Sequence, residues 1–426
     1  MRCKIYDCNG YKIHTLKINK YRTTTLNITF RKALKKEDIS TYAILAKLLT
    51  YTSKRYPKKR DISIELERLY NSFIYATSNL EGNTLNFEIT YDFLNPKYCY
   101  NGYLKEAIKF PFELLNNPNI GDGKFDMDSY NVCLNLFKTM IEEEKEYAGS
   151  YAMRRSLECM DSNSPISYSS LGYLEDLERI DASTLVKAYK KLFTDFVVDI
   201  YIAGDIDMDE VVDNIKKLFV LTNKKRDYGS LYIHNETREK VKEVIEYGDY
   251  EQATFIMIYN MVDFTKRERD IVLPIFNSIF GGNELTSKLY MNVREKNSLC
   301  YNIISYFLKF GGIFAVRAGI DESNKDKCIK LVNNCLLEMV KGKFSDEDIM
   351  CAKKIRINQV KQREDSTYSL INNQIASDVD NTLSGNKLIN EYKTVTKKEI
   401  VNLAKKIKLN LIYMLCKEGS NGTNKD

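Results

Sequence analysis

Histidine is scarce and tryptophan is absent: the 426 residues contain two histidines, His14 and His234, one in each half. A hydrolytic zinc site of the two-histidine, one-glutamate kind needs two imidazoles converging on one ion. Neither histidine has a second one at ligand spacing, so such a site is excluded on this chain. A histidine-based triad meets the same scarcity, and both residues are expected at the surface or at strand ends. No apolar run approaches the roughly 18 residues needed to cross a bilayer. The opening MRCKIYDCNGYKIH has no apolar core of the signal-peptide kind, so a cytoplasmic protein with no membrane contact is expected. An excess of one charge sign is also missing: 64 Lys and Arg stand against 58 Asp and Glu, a net +6. That balance gives no footprint for nucleic acid, and the run Lys224-Lys225-Arg226 is expected to be solvated linker. The ten cysteines form no Cys-x-x-Cys pair and are irregularly spaced. They are expected to be reduced and buried rather than disulfide-bonded, with no metal or redox role for Cys3 and Cys8. No P-loop, nucleophile elbow or dinucleotide fingerprint occurs.

What is present is a duplication. Apolar residues make up 44% of the chain, enough for more than one core, and the length predicts two or three domains. In the first half Leu26, Ile28 and Phe30 alternate with polar neighbours, predicting a strand. A buried helix follows from about Asp38, the expected N-cap, and a short helix carries Ile62, Leu66 and Leu69. A hairpin comes next: Phe73 to Thr77, a turn at Glu81-Gly82-Asn83, then Thr84 to Thr90. The second half repeats the order. It has a strand at Thr254 to Tyr259, a helix from Arg267 to Ile279, a break at Gly281-Gly282, and a helical segment from Thr286 to Lys296. Strands at Cys300 to Tyr306 and Ile313 to Ala318 follow. The halves also end alike, each with a helix and a strand: Ala182 to Phe193 then Val197 to Ala203, and Lys397 to Ile407 then Leu409 to Cys416. Long helices such as Ser345 to Ser366 beside strands predict α+β layers rather than a doubly wound parallel sheet. The expected organisation is one domain over 1–222, a polar linker over 223–244 (overlapping a polar stretch from Leu221 to about Lys242), and a second domain over 245–426.

The stretch Phe280-Gly281-Gly282-Asn283-Glu284-Leu285-Thr286-Ser287-Lys288-Leu289-Tyr290, followed by Asn292-Val293-Arg294-Glu295-Lys296-Asn297-Ser298-Leu299-Cys300-Tyr301-Asn302, resembles the signature of the insulinase-type (M16) metallopeptidases. It has a glycine loop, a small-residue helix start, a Leu-Arg-Glu-Lys core (here with Val293 for Leu) and a Leu-x-Tyr close. Gly204-Asp205-Ile206-Asp207 with the helix to Phe219, and Pro165-Ile166 through Asp181, resemble other parts of the family's domain. The resemblance implies tandem duplicated M16 domains of the LuxS/MPP-like fold, each a mostly antiparallel sheet packed by helices, together forming half of a clam-shell.

Active members of that family carry His-x-x-Glu-His on the buried helix of the first half. Laid on this helix, the pattern falls on Ala43-Ile44-Leu45-Ala46-Lys47. Ala43 and Lys47 stand for the imidazoles and Ala46 for the carboxylate. A distal Glu ligand would fall near Glu142, Glu143, Glu144 and Glu146, read instead as a solvated helix face. The family's Arg and Tyr, seven residues apart, match Arg294 and Tyr301. There a phenol hydroxyl stabilises the oxyanion formed on peptide attack, and an Arg fork holds a substrate carbonyl. The resemblance thus implies a zinc-free subunit that donates Arg294 and Tyr301 to a site whose zinc is held by a His-x-x-Glu-His sister subunit. The substrate would be a small or leader peptide. Family substrates add as a strand to a sheet edge, which points to Tyr75, Ala76 and Thr77. Gly281 and Gly282 either let backbone approach that peptide or end a helix, the structural role being favoured. The alternative is a non-catalytic scaffold or a factor associated with modification of elongation factor P or maturation of ribosomal peptides.

Overall fold

The structure is a computed structural model and describes residues 3–222 and 226–418. It divides into two compact units, neither continuous in sequence. The first takes the chain up to Glu143, then Ser169–Leu231 and Glu364–Asp380. The second takes Glu144–Tyr168, Tyr232–Arg363 and the chain from Asn381 on.

The first unit holds a six-stranded sheet: β1 Cys3–Cys8, β2 Tyr11–Lys17, β3 Thr23–Ala33, β4 Phe73–Glu81, β5 Thr84–Leu94 and β6 Val197–Gly204, in spatial order β1-β2-β6-β3-β5-β4. The period-two pattern of β3 explains its place inside the sheet. Leu26, Ile28 and Phe30 point into a core with Phe87, Ile89 and Tyr91 of β5 and with Tyr42 and Leu45 of the helix Ile39–Leu49. On the other face, the polar side chains hydrogen-bond one another, as buried polar groups must. Asn27 Nδ2 donates to Thr90 Oγ1 at 3.0 Å, and Thr29 Oγ1 donates to Asn27 Oδ1 at 2.6 Å.

The second unit holds five strands: β7 Lys242–Gly248, β8 Ala253–Met261, β9 Cys300–Leu308, β10 Ile313–Ile320 and β11 Ile407–Lys417, in order β9-β10-β8-β11-β7. Reading inward from one edge, β2-β6-β3-β5-β4 and β7-β11-β8-β10-β9 have the same connectivity. In each sheet one pair is parallel, β2 with β6 and β7 with β11, and the rest are antiparallel. The chain is therefore a duplicated α+β fold with antiparallel-rich sheets, as its internal repetition predicted.

The second sheet is apolar on both faces and the first carries a small apolar patch on its second face, so each needs a second cover. Every residue of β8 is buried. Its second face packs against Ala152, Leu157 and Met160 of the helix Ala148–Met160, which comes from the first half of the sequence. In the first unit, Ile371 and Ile375 of the helix Thr367–Asp380 pack on Leu16, Tyr201 and Ala203. Each such buried aliphatic side chain contributes roughly 1.5–3 kcal/mol.

Three local expectations are corrected. Asp38 does not cap the helix it precedes; its carboxylate pairs with Lys32 Nζ at 2.6 Å. His14 is not at the surface. It is 2% exposed, with Nε2 2.9 Å from Asp199 and Nδ1 3.1 Å from Asp378. The imidazole lies in the middle of β2, not at a strand end, and its ring nitrogens reach Asp199 of β6 and Asp378 of the helix Thr367–Asp380. Of the basic run, Lys224 and Lys225 lie outside the described residues. Arg226 is not solvated linker, since its guanidinium donates to the carbonyls of Gly10, Phe193 and Thr194. All ten cysteines are free, and five of them are buried.

Candidate functional site

The helix Ile39–Leu49 carries Ala43, Ala46 and Lys47 one turn apart. Ala46 is buried. Lys47 is half-buried, and its ammonium lies 2.7 Å from the sulfur of Met140. Burial pulls the Lys47 pKa below the usual lysine value. Two methyl groups and an ammonium do not fit a zinc ion: none is a ligand, and the ammonium repels a cation. In the acidic run, Glu142, Glu143 and Glu146 are exposed, while Glu144 pairs with Arg154 at 2.8 Å. Among the described residues no group of three His, Cys, Asp or Glu side chains is placed to hold a metal.

Arg294 and Tyr301 are brought together by the sequence between them. A helical turn ends at Tyr290–Glu295, anchored by the fully buried Leu289 and Val293. The chain reverses at Ser298, whose φ of 52° is left-handed. Ser298 N donates to Arg294 O at 2.8 Å and Leu299 N to Val293 O at 3.2 Å, satisfying the last carbonyls of the turn. Strand β9 then starts with a bulge: Cys300 pairs with Ile320, but the next partners are Ile303 and Ala318. The extra residue frees Tyr301 from the ladder, as bulges do where a side chain is re-aimed. Tyr301 is 81% exposed.

The Arg294 guanidinium carbon lies 5.3 Å from the Tyr301 ring centre and 4.6 Å from that of Tyr290. Its Nη1 donates to the Tyr290 hydroxyl at 2.5 Å. The only carboxylate near it among the described residues is Glu295, at a loose 3.9 Å. An arginine held between two aromatic rings, rather than by a carboxylate, keeps hydrogen-bond capacity for a ligand. Tyr290 was not singled out from sequence; its signal was the i, i+4 spacing to Arg294 on one helical face.

Gly281 and Gly282 follow the helix Leu273–Phe280, and both are buried. Their N–H groups donate to Asn277 O at 3.0 and 2.7 Å, and Gly281 O accepts from Ser305 N of β9. A Cβ at Gly281 would sit 2.3 Å from Leu289 Cδ1 and 2.9 Å from Ser305 Oγ. The glycine lets the helix end and strand β9 touch backbone to backbone. Tyr75, Ala76 and Thr77 lie on β4, the outermost strand of the first sheet. Strand β9, bearing Tyr301, is outermost in the second.

A duplicated α+β fold of this connectivity, with a donorless helix in the first unit, defines an M16-type architecture without the metal site. Comparison with known proteins agrees. Residues 179–355 match the family described as Peptidase M16 inactive domain. The chain is 27% identical over 423 residues to "Probable inactive metalloprotease YmfF" of Bacillus subtilis (strain 168), covering 97% of each chain. It is 22% identical to "Non-peptidase homolog YmxG" of Helicobacter pylori (strain ATCC 700392 / 26695), covering 69% of this chain and 65% of that one. A crystal structure of a conserved protein from Enterococcus faecalis V583 superposes over the whole of both chains with a TM-score of 0.90 at 26% identity. The peptidase M16 inactive domain of Pseudomonas fluorescens shares the fold at a TM-score of 0.78, 15% identity and 98% coverage of each chain. The chain is thus similar to inactive-type homologues of the M16 metallopeptidases. No helix among the described residues is long and apolar enough to cross a membrane.

Proposed function

We propose that this chain is the zinc-free subunit of a two-chain M16-type peptidase. It contributes Arg294 and Tyr301 to the carbonyl side of a zinc site held by a His-x-x-Glu-His sister subunit, and the pair cleaves small or leader peptides. The observation that carries this reading is the exposed Tyr301, its ring beside a guanidinium that has no close carboxylate among the described residues. A phenol hydroxyl and a guanidinium are the donors that a developing oxyanion and a substrate carbonyl require. The peptide would lie in extended form, the outer edge of β4 at Tyr75 to Thr77 offering main-chain hydrogen bonds. A second reading, a non-catalytic scaffold, is favoured by the printed description of one relative as a non-peptidase homologue.

The experiment is co-expression with an M16 protein bearing His-x-x-Glu-His, followed by zinc analysis of joined and separated chains. One zinc per heterodimer, none on this chain alone, and peptide cleavage by the pair only, is the expected result. A heterodimer that binds zinc without cleaving any peptide favours the scaffold. A solitary chain that binds stoichiometric zinc and cuts peptides overturns both readings.

A further inference from the structure

On the first sheet's face away from the helix Ile39–Leu49 is a cavity of about 620 Å³, lined in part by Lys12, His14, Arg31, Asp199, Arg226 and Tyr228. Arg31 is 2% exposed. Its Nε donates to Asn86 Oδ1 at 2.8 Å, and its guanidinium carbon lies 5.4 Å from the Tyr228 ring centre. Among the described residues its terminal nitrogens donate to nothing, and the buried Nη2 is left without a partner. A desolvated guanidinium is costly unless an anion faces it. The surrounding carboxylates do not supply one. Asp199 and Asp378 are engaged by His14. Asp7, also in the lining, and Glu88, on the neighbouring strand, make no ion pair with Arg31 among the described residues, and burial raises the Glu88 pKa against the opposing pull of Arg31. Arg226, bound to backbone carbonyls, adds a second guanidinium that has no carboxylate partner among the described residues.

We propose that this cavity is a binding site for an oxyanion, a carboxylate or phosphate group of a small molecule, held by the terminal nitrogens of Arg31 beneath the Tyr228 ring. The planar fork matches the two oxygens of either group. The site lies apart from Arg294 and Tyr301 in the sequence and does not depend on the peptidase reading.

The test is titration calorimetry on the full chain with inorganic phosphate and, separately, succinate, against sodium chloride at matched ionic strength. Saturable one-site binding of one probe is expected, weakened roughly tenfold or more by Arg31→Gln. Binding of phosphate only assigns a phosphoryl ligand, and binding of succinate only assigns a carboxylate. Arg68→Gln, which alters a surface ion pair, should leave binding unchanged. If Arg31→Gln does not fold, Tyr228→Ala, in a segment outside the sheet, should weaken binding several-fold by letting water reach the guanidinium. No saturation above the salt control, or undiminished binding in the folded Arg31 or Tyr228 variants, overturns the proposal.

Discussion

Arg294 lies beside both Tyr290 and Tyr301, with ring centres 4.6 and 5.3 Å from its guanidinium carbon. Tyr290 reaches it from one helical turn earlier, and Tyr301 from a bulge on the outermost strand of the second sheet. In the first unit the matching outermost strand is β4, preceded by the helix Lys59–Arg68, and Ala43, Ala46 and Lys47 lie one helix earlier, on Ile39–Leu49. By element order Ile39–Leu49 matches Leu273–Phe280, so Ala43, Ala46 and Lys47 and the Arg294–Tyr301 pair stand on different elements of the repeat.

Replacing Tyr301 by Phe removes one hydroxyl and keeps the ring over Arg294. In a reconstituted heterodimer, peptide turnover should fall roughly 10²-fold or more, with unchanged assembly on gel filtration. Tyr290→Phe should act more weakly, since it removes only the hydrogen bond that positions Arg294. Unchanged turnover in Tyr301→Phe would leave the pair without a catalytic role.

Gly281→Ala should destabilise the second unit. The added methyl meets Leu289 Cδ1 at 2.3 Å and Ser305 Oγ at 2.9 Å inside a buried turn. Overpacking of this kind costs about 1–3 kcal/mol. Gly102→Ala is no clean control, because its φ of 89° strains any side chain. Gly121, with open space around its Cα, is the better one. Denaturant midpoints should separate Gly281→Ala from Gly121→Ala; equal midpoints would mean that the tight approach of helix end to β9 does not matter.

Much of this architecture was legible in the residues. Alternation at Leu26, Ile28 and Phe30 and the turn at Gly82 marked strands because local periodicity sets which face is buried. The Gly281 to Tyr301 stretch carried the site because its spacing is fixed by one turn and one bulge. Periodicity does not say which sheet an apolar helix face covers, so the helices Ala148–Met160 and Thr367–Asp380 could not be assigned to the units they join. His14 was misread for the same reason: its burial comes from Asp378, more than three hundred residues away in the chain. Arg31 was passed over because a lone arginine in a strand gives no motif; only the cavity beside it marks it out.

His14 should couple stability to alkaline pH. Burial alone would lower its pKa, but the hydrogen bond to Asp199 and the Asp378 carboxylate 3.1 Å from Nδ1 outweigh that and raise it to about 11. Only the doubly protonated ring can donate to both carboxylates. Because the folded value lies above the unfolded value of about 6.5, the stabilisation is complete below that pH and declines as pH climbs toward 11. The Tm gap between the wild type and His14→Gln should be largest near pH 6 and shrink steadily by pH 10. A gap independent of pH would mean that His14 acts by packing on Tyr201, whose ring stacks at 4.4 Å, and not by charge.

Lys47 gives the opposite sign. Its ammonium is half-buried against the Met140 sulfur, and among the described residues no carboxylate pairs with it, so burial lowers its pKa. A lowered lysine pKa means that protonation opposes folding at neutral pH. Lys47→Met keeps the length of the side chain, removes the charge and adds an apolar neighbour for Met140. The variant should melt above the wild type at pH 7, and the difference should narrow as pH rises and Lys47 itself becomes neutral. A variant that melts lower at pH 7 would show that the ammonium is needed where the family's second imidazole stands, and would turn attention to an anionic group of a partner or substrate as the missing counter-charge.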